Sequence, residues 1–161
     1  MIKMPVIFLA VITLLAGCAS TPVFDTSKVD SSITPTLALE DSSTNLGKTA
    51  LWGGTILTTQ NLKEFTQIEI QAYPLDASQR PNLNDKPLGR FIIRNPGFLD
   101  PLSFSQGQLI SVLGEVGQNQ SATIGESTYI YPVINALQVN LWPKKKTSTE
   151  SRFSFGIGLS L

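Results

Sequence analysis

Histidine is missing from this 161-residue chain, and cysteine occurs once, at Cys18. The first absence removes imidazole as base, nucleophile or metal ligand, and the second excludes an intramolecular disulfide. No sign of charge is in excess either, because 12 basic residues balance 12 acidic ones. A chain without a basic surplus lacks the electrostatic footprint that a nucleic-acid strand requires, and a polybasic membrane patch is not expected. The sequence contains no Gly-x-Ser-x-Gly elbow and no Gly-x-x-x-x-Gly-Lys-Ser/Thr loop, so acyl transfer and nucleotide hydrolysis have no local motif. Carboxylates are not paired in a way that suggests acid–base work. The expectation is a protein that is not an enzyme and uses neither cofactor nor metal.

A long apolar run is lacking too. The longest, Val6–Leu15, is broken only by Thr13 and is about half of the ~20 residues that span a bilayer as a helix. It follows Lys3 and leads into Leu15-Ala16-Gly17-Cys18, giving the charged, apolar and small-residue regions of a secretory leader. Those last four residues resemble the bacterial lipobox at every position. The resemblance implies cleavage between Gly17 and Cys18, a diacylglycerol on the Cys18 sulfur, and acylation of the new amino group. At about 0.8 kcal/mol per buried methylene, two or three acyl chains contribute tens of kcal/mol and make the anchoring effectively permanent. Ala19 and Ser20 follow the cysteine, where an aspartate would resemble an inner-membrane retention signal. The outer membrane of a Gram-negative cell is therefore the expected destination, on its periplasmic leaflet. Processing also removes Lys3, leaving 11 basic against 12 acidic residues, a net charge of −1.

Four segments follow from the pattern: a leader over 1–17, a lipid-anchored tether over 18–46, a folded domain over 47–143, and a tail over 144–161. The tether reading rests on Ser, Thr, Pro and Asp with apolar residues at no regular period. In the domain, Ala50–Thr59, Thr66–Leu75, Gly89–Arg94, Gln108–Gln118 and Tyr131–Trp142 read as strands. Ile68, Ile70 and Ala72 alternate with Gln67, Glu69 and Gln71, while Val133, Leu137, Val139 and Leu141 mark the expected inner face of the last strand. Asn119–Thr128 reads as a polar connection, and Asn95–Gln106 permits one helical turn that would plug a barrel end. Three strands, a plug and two strands predict an all-β, five-stranded OB-like Greek-key barrel, with Gly53-Gly54 serving a sharp corner.

The domain resembles a known family in several places. Trp52-Gly53-Gly54-Thr55-Ile56, Ala72-Tyr73-Pro74-Leu75-Asp76, Gly89-Arg90-Phe91 and Pro96-Gly97-Phe98-Leu99-Asp100-Pro101 are similar, in that order, to the Slp family of bacterial outer-membrane lipoproteins. Gly114-Glu115-Val116, Tyr131-Pro132-Val133 and Leu141-Trp142-Pro143 extend the likeness to most of residues 50–143. It implies an OB-like barrel, no established enzymatic activity, and an envelope-associated role in structure, starvation or stationary phase. The alternative is a lipid-anchored binding module for a small ligand, a lipid or an envelope protein partner.

Trp52, Tyr73, Tyr131 and Trp142, with Tyr129, are the candidate binding aromatics, since rings on such a barrel can stack against ligands. The competing reading places them in the core or over the barrel ends. Asp76 and Asp100 are each better explained as acceptors for turn N–H groups than as cleft carboxylates. Glu69 and Glu115 fall on polar strand faces. Beyond Lys144-Lys145-Lys146, apolar residues at every second position from Phe153 to Leu161 predict an apolar-faced strand that docks on the domain, pairs with another chain or touches the membrane.

Overall fold

The computed structural model describes residues 22–143. Five strands form within them: β1 (Thr49–Asn61), β2 (Phe65–Ala72), β3 (Arg90–Pro96), β4 (Leu109–Ile124) and β5 (Ser127–Trp142). They close in the order β1-β2-β3-β5-β4. All pairs are antiparallel except β3 with β5, which run parallel over only three residue pairs, Ile92 to Arg94 against Val133 to Asn135. A three-strand meander whose third strand meets the fifth in parallel, with the fourth strand closing back onto the first, is the OB-type connectivity.

Alternation explains which side faces in. In β2 every second residue, from Thr66 to Ala72, is buried. Ile68 and Ile70 join Phe91 and Ile93 of β3, Ala50, Trp52 and Ile56 of β1, and Ile110, Val112 and Val116 of β4 in one core. Gly54 allows the curvature: a Cβ there would overlap the Gln71 carbonyl oxygen across the β1–β2 ladder.

The last strand departs from simple alternation. Leu113 pairs with Gln138 but Gly114 pairs with Ala136, so Leu137 is an extra residue in a bulge. The bulge changes the phase of the strand. Val139 and Leu141 face the core as the pattern predicts, but upstream of the bulge Ile134 and Ala136 do so. Leu137, expected inside, is 61% exposed. Val133, also expected in the main core, lies in a second cluster with Ile92 and Tyr131.

Residues 119–128 are likewise not a loose connection. β4 and β5 continue their ladder to Ile124 and Ser127, turning at Gly125-Glu126 with Gly125 at φ 60°. The stretch expected to plug the barrel contributes one turn, closed by the Phe104 N–H to the Asp100 carbonyl (2.9 Å), from which Leu99 and Phe104 pack against the core.

The two short helices lie before β1, in the stretch read as a tether. Helix α1 (Pro35–Glu40) starts at Thr34, whose hydroxyl accepts from the Leu37 N–H, with Pro35 in the first turn. Helix α2 (Ser42–Asn45) is capped by Asp41. Helices this short do not persist alone, and packing holds them. Ala38 is fully buried, Ile33 packs in the core, and the Thr36 hydroxyl donates to the Leu88 carbonyl (3.1 Å). α1 also contacts β5. Irregular spacing conceals this packing in the sequence, because the buried residues Phe24, Ile33 and Ala38 follow no regular period while Val23, Leu37 and Leu46 among them are exposed. The described part of the stretch is a strap lying on the barrel and not a free tether.

Candidate functional site

Among the described residues, two clefts on the surface stand out. The first, about 620 Å³, lies between the strap (Thr26–Pro35), the start of β1 (Leu51–Gly53) and the loop after β2 (Tyr73–Gln79), with Leu88 at its side. Trp52 forms part of its wall from a fixed position. Its indole N–H donates to the Ile33 carbonyl at 2.7 Å, and its ring meets Phe91 edge-on at 5.2 Å. Val29, Ile33, Pro35, Leu51, Pro74 and Leu75 supply apolar surface.

Asp76 and Gln79, two of the polar residues at this cleft, are already engaged. Asp76 accepts from the Ser78 N–H (2.8 Å), the Ser78 hydroxyl (2.6 Å) and the Arg80 N–H (3.0 Å), fixing the turn. Gln79 sits beyond it at φ 68°, buried although polar. Its amide oxygen accepts from the Phe24 N–H (2.7 Å) and its amide nitrogen donates to the Phe24 carbonyl (3.0 Å), fastening the strap. The Gln79 carbonyl in turn accepts from the Ser111 hydroxyl (2.6 Å), which accepts from the Trp142 indole N–H (2.9 Å).

The second cleft, about 710 Å³, shares Asp76 and is lined by Arg80, Pro81, Asn82, Leu83, Asn84, Gly107, Leu109, Trp142 and Pro143. The Arg80 guanidinium lies 5.4 Å from the Trp142 ring centroid and donates to the Pro143 carbonyl (3.3 Å).

A third polar region covers the outer face of β2 and β3. Glu69 accepts from Arg90 (2.9 Å) and from the Tyr131 hydroxyl (2.9 Å). Burial, followed by the Glu69 carboxylate, raises the pKa of Tyr131, while the hydrogen bond to Glu69 raises that of Arg90. Arg94 donates to Gln120 (2.6 Å), Gln120 donates to Gln67 (3.2 Å), and Tyr129 packs on Tyr131 at 4.6 Å.

The aromatics singled out in the sequence therefore do not converge. Trp52 and Tyr73 border the first cleft, Trp142 the second, and Tyr131 belongs to the outer sheet face. Gly17 and Cys18 lie outside the described residues, as do the three lysines from Lys144 and the alternating tail. Among the described residues no three Cys, Asp or Glu side chains gather as a metal site, and no helix is long and apolar enough to cross a membrane. Sequence reasoning missed Gln79, Arg80 and Ser111. The Asp76-Ala77-Ser78 turn just before Gln79 was the available signal for a special backbone there.

The aspartate turns make a measurable prediction. Asp25, Asp30, Asp76 and Asp100 have lowered pKa values: Asp25 chiefly from the Ser27 N–H, Asp30 and Asp76 from the hydroxyls of Ser32 and Ser78, and Asp100 from the Leu102 N–H. A depressed folded-state value contributes stability that is present above the unfolded pKa of about 3.9 and is lost as pH falls through the folded value. The urea midpoint should stay level from pH 7 to about 5 and fall below about 4. Asp76→Asn should lower the midpoint at neutral pH, and its difference from the parent should shrink as pH falls below about 4. A constant difference at every pH would show that the charge is not what counts.

The described residues thus define a small OB-type barrel protein with a packed N-terminal strap and two surface clefts. Its residues 15–156 match the model of the Outer membrane lipoprotein Slp family, and the chain belongs to that family of outer-membrane lipoproteins. It is 32% identical over 133 residues to the uncharacterized lipoprotein YeaY of Escherichia coli K12, covering 80% of this chain and 67% of that one. Against the outer membrane protein Slp of the same organism, identity is 26% over 149 residues, covering 90% and 79%. Among solved structures it is similar to the mitochondrial single-stranded DNA-binding protein Rim1 of S. cerevisiae, with a TM-score of 0.37, 16% identity, and coverage of 59% of this chain and 94% of that one. The OB assignment rests on the strand order itself.

Proposed function

We propose that this outer-membrane lipoprotein is non-enzymatic, anchored by lipid on Cys18 in the periplasmic leaflet, and acts by holding an apolar group in the first cleft. The observation that carries this reading is the engagement of Asp76 and Gln79, the cleft's carboxylate and its buried amide. Asp76 and Gln79 are bonded within the protein, and the remaining wall is largely apolar. Such a wall favours sequestration over bond-making. The role fits an envelope-associated contribution to structure, stress or stationary phase. A protein partner is the second reading, favoured by Phe98 and Leu102, which are 75% and 87% exposed on one loop. The outer sheet face supports the exclusion of nucleic acid, because Arg90 is paired with Glu69 and Arg94 is held by Gln120.

The test is titration of the lipid-free chain, residues 19–161, with the apolar dye N-phenyl-1-naphthylamine. Fluorescence should rise saturably with one site. Ser31→Trp, which adds an indole at the exposed rim, should weaken binding about tenfold, or about 1.4 kcal/mol. Thr128→Trp on the hairpin should leave it unchanged. Non-saturable uptake, or equal behaviour of both variants, would defeat the reading.

A further inference from the structure

The chain enters and leaves the barrel at one place. Phe24 is gripped by Gln79, the Gln79 carbonyl is tied through Ser111 to Trp142, and Arg80 reaches the carbonyl of Pro143. Only five residues lie between Cys18 and Phe24, and the six Cα–Cα steps, fully extended, span at most about 20 Å. With residues 24–46 fastened to the barrel, no longer linker exists to hold the domain away from its anchor.

We propose that the face carrying Val23, Arg80, Leu83, Trp142 and Pro143 lies against the bilayer that holds the Cys18 lipid. The inference rests on lipidation of Cys18 and adds an orientation that lipidation alone does not give. The occupant of the face is a phospholipid surface. Val23 and Leu83 are 44% and 51% exposed and offer apolar side chains at the point of entry. Arg80 brings a group suited to a headgroup layer, a guanidinium able to fork onto phosphate, and it lies over the Trp142 ring, whose N–H is turned inward to Ser111. Arg80 has no carboxylate within salt-bridge distance among the described residues.

The sole cysteine makes the test clean, since its sulfur is blocked once lipidated. The full chain would be processed in a Gram-negative host, its N-terminal mass measured, and the protein reconstituted in phosphatidylethanolamine–phosphatidylglycerol vesicles carrying headgroup nitroxides. A fluorophore would be attached at Leu83→Cys or at Thr128→Cys. Thr128 is fourteen residues from Trp142 along β5, about 45 Å of strand contour, and marks the far end. Quenching at position 83 should exceed that at 128 at least threefold, and Cys18→Ser should abolish the difference. With the lipid present, equal quenching, stronger quenching at 128, or shielding of position 83 from both lipid and aqueous quenchers (as the C-terminal tail in the cleft would produce) overturns the orientation alone. A mature N-terminus without lipid overturns the orientation together with the anchoring on which it rests.

Discussion

A single methyl group added at Gly54 should unfold much of the domain, whereas the same addition at Gly47 should leave it folded. The two glycines are needed for different reasons. At Gly54 the new Cβ would overlap the Gln71 carbonyl oxygen and come within 2.6 Å of the Ile70 Cγ2. A flexible side chain could yield, but a carbonyl in the ladder of a closed barrel cannot move without separating β1 from β2. Overpacking usually costs 1–3 kcal/mol, and a clash with fixed backbone should reach about 3 kcal/mol or more, a large part of the stability of a domain this size. At Gly47 nothing lies within 4 Å of a new Cβ, and the requirement is the backbone at φ 76°. Strain of that kind costs roughly 1–2 kcal/mol. Urea denaturation followed by circular dichroism separates the cases: Gly47→Ala should show a cooperative transition at a modestly lower midpoint, and Gly54→Ala a weak transition or none. Similar midpoints for both variants would mean that the β1–β2 contact is looser than the structure has it.

The contrast also shows what a sequence can display. Gly53-Gly54 is visible as a corner because strand alternation runs on both sides of it. The β2 face is equally plain, with Ile68, Ile70 and Ala72 inward and Gln67, Glu69 and Gln71 outward. Asp76 and Asp100 are legible as turn acceptors, since an aspartate two residues before its partner makes a local bond. The strap is not legible. Phe24, Ile33 and Ala38 are spaced by nine and five residues, which fits neither the period of a strand nor that of a single helix face, so no period connects them. The clefts are not legible either, because Gln79 obtains its role from a left-handed backbone and a partner 55 residues away. The aromatics were visible as residues but not as a site: three separate regions of the surface receive them, and composition carries no information about which.

Truncation along β5 should reverse the ranking that alternation suggests. Reading back from Leu141 and Val139 in steps of two places Leu137 inside and Ile134 outside. The bulge opposite Leu113 and Gly114 inserts Leu137 as the unpaired residue and shifts the phase, so Ile134 is fully buried among the core side chains and Leu137 projects into solvent. Ile134→Ala removes three buried carbons and leaves a cavity that the barrel wall can close only in part. Its cost should be about 2–5 kcal/mol. Leu137→Ala removes a side chain that the fold already leaves in water, and should change stability by less than about 0.5 kcal/mol. The lipid-free chain compared in urea measures both, and the gap is large enough to read from midpoints alone. Neither value depends on the anchor or on cleft occupancy, so the pair tests the register of β5 directly. Position 137 has the further merit that a polar replacement there, Leu137→Lys, should also be tolerated, since the side chain leaves the bulge pointing outward. A loss of several kcal/mol at Leu137 with little effect at Ile134 would restore the unbroken alternation and remove the bulge.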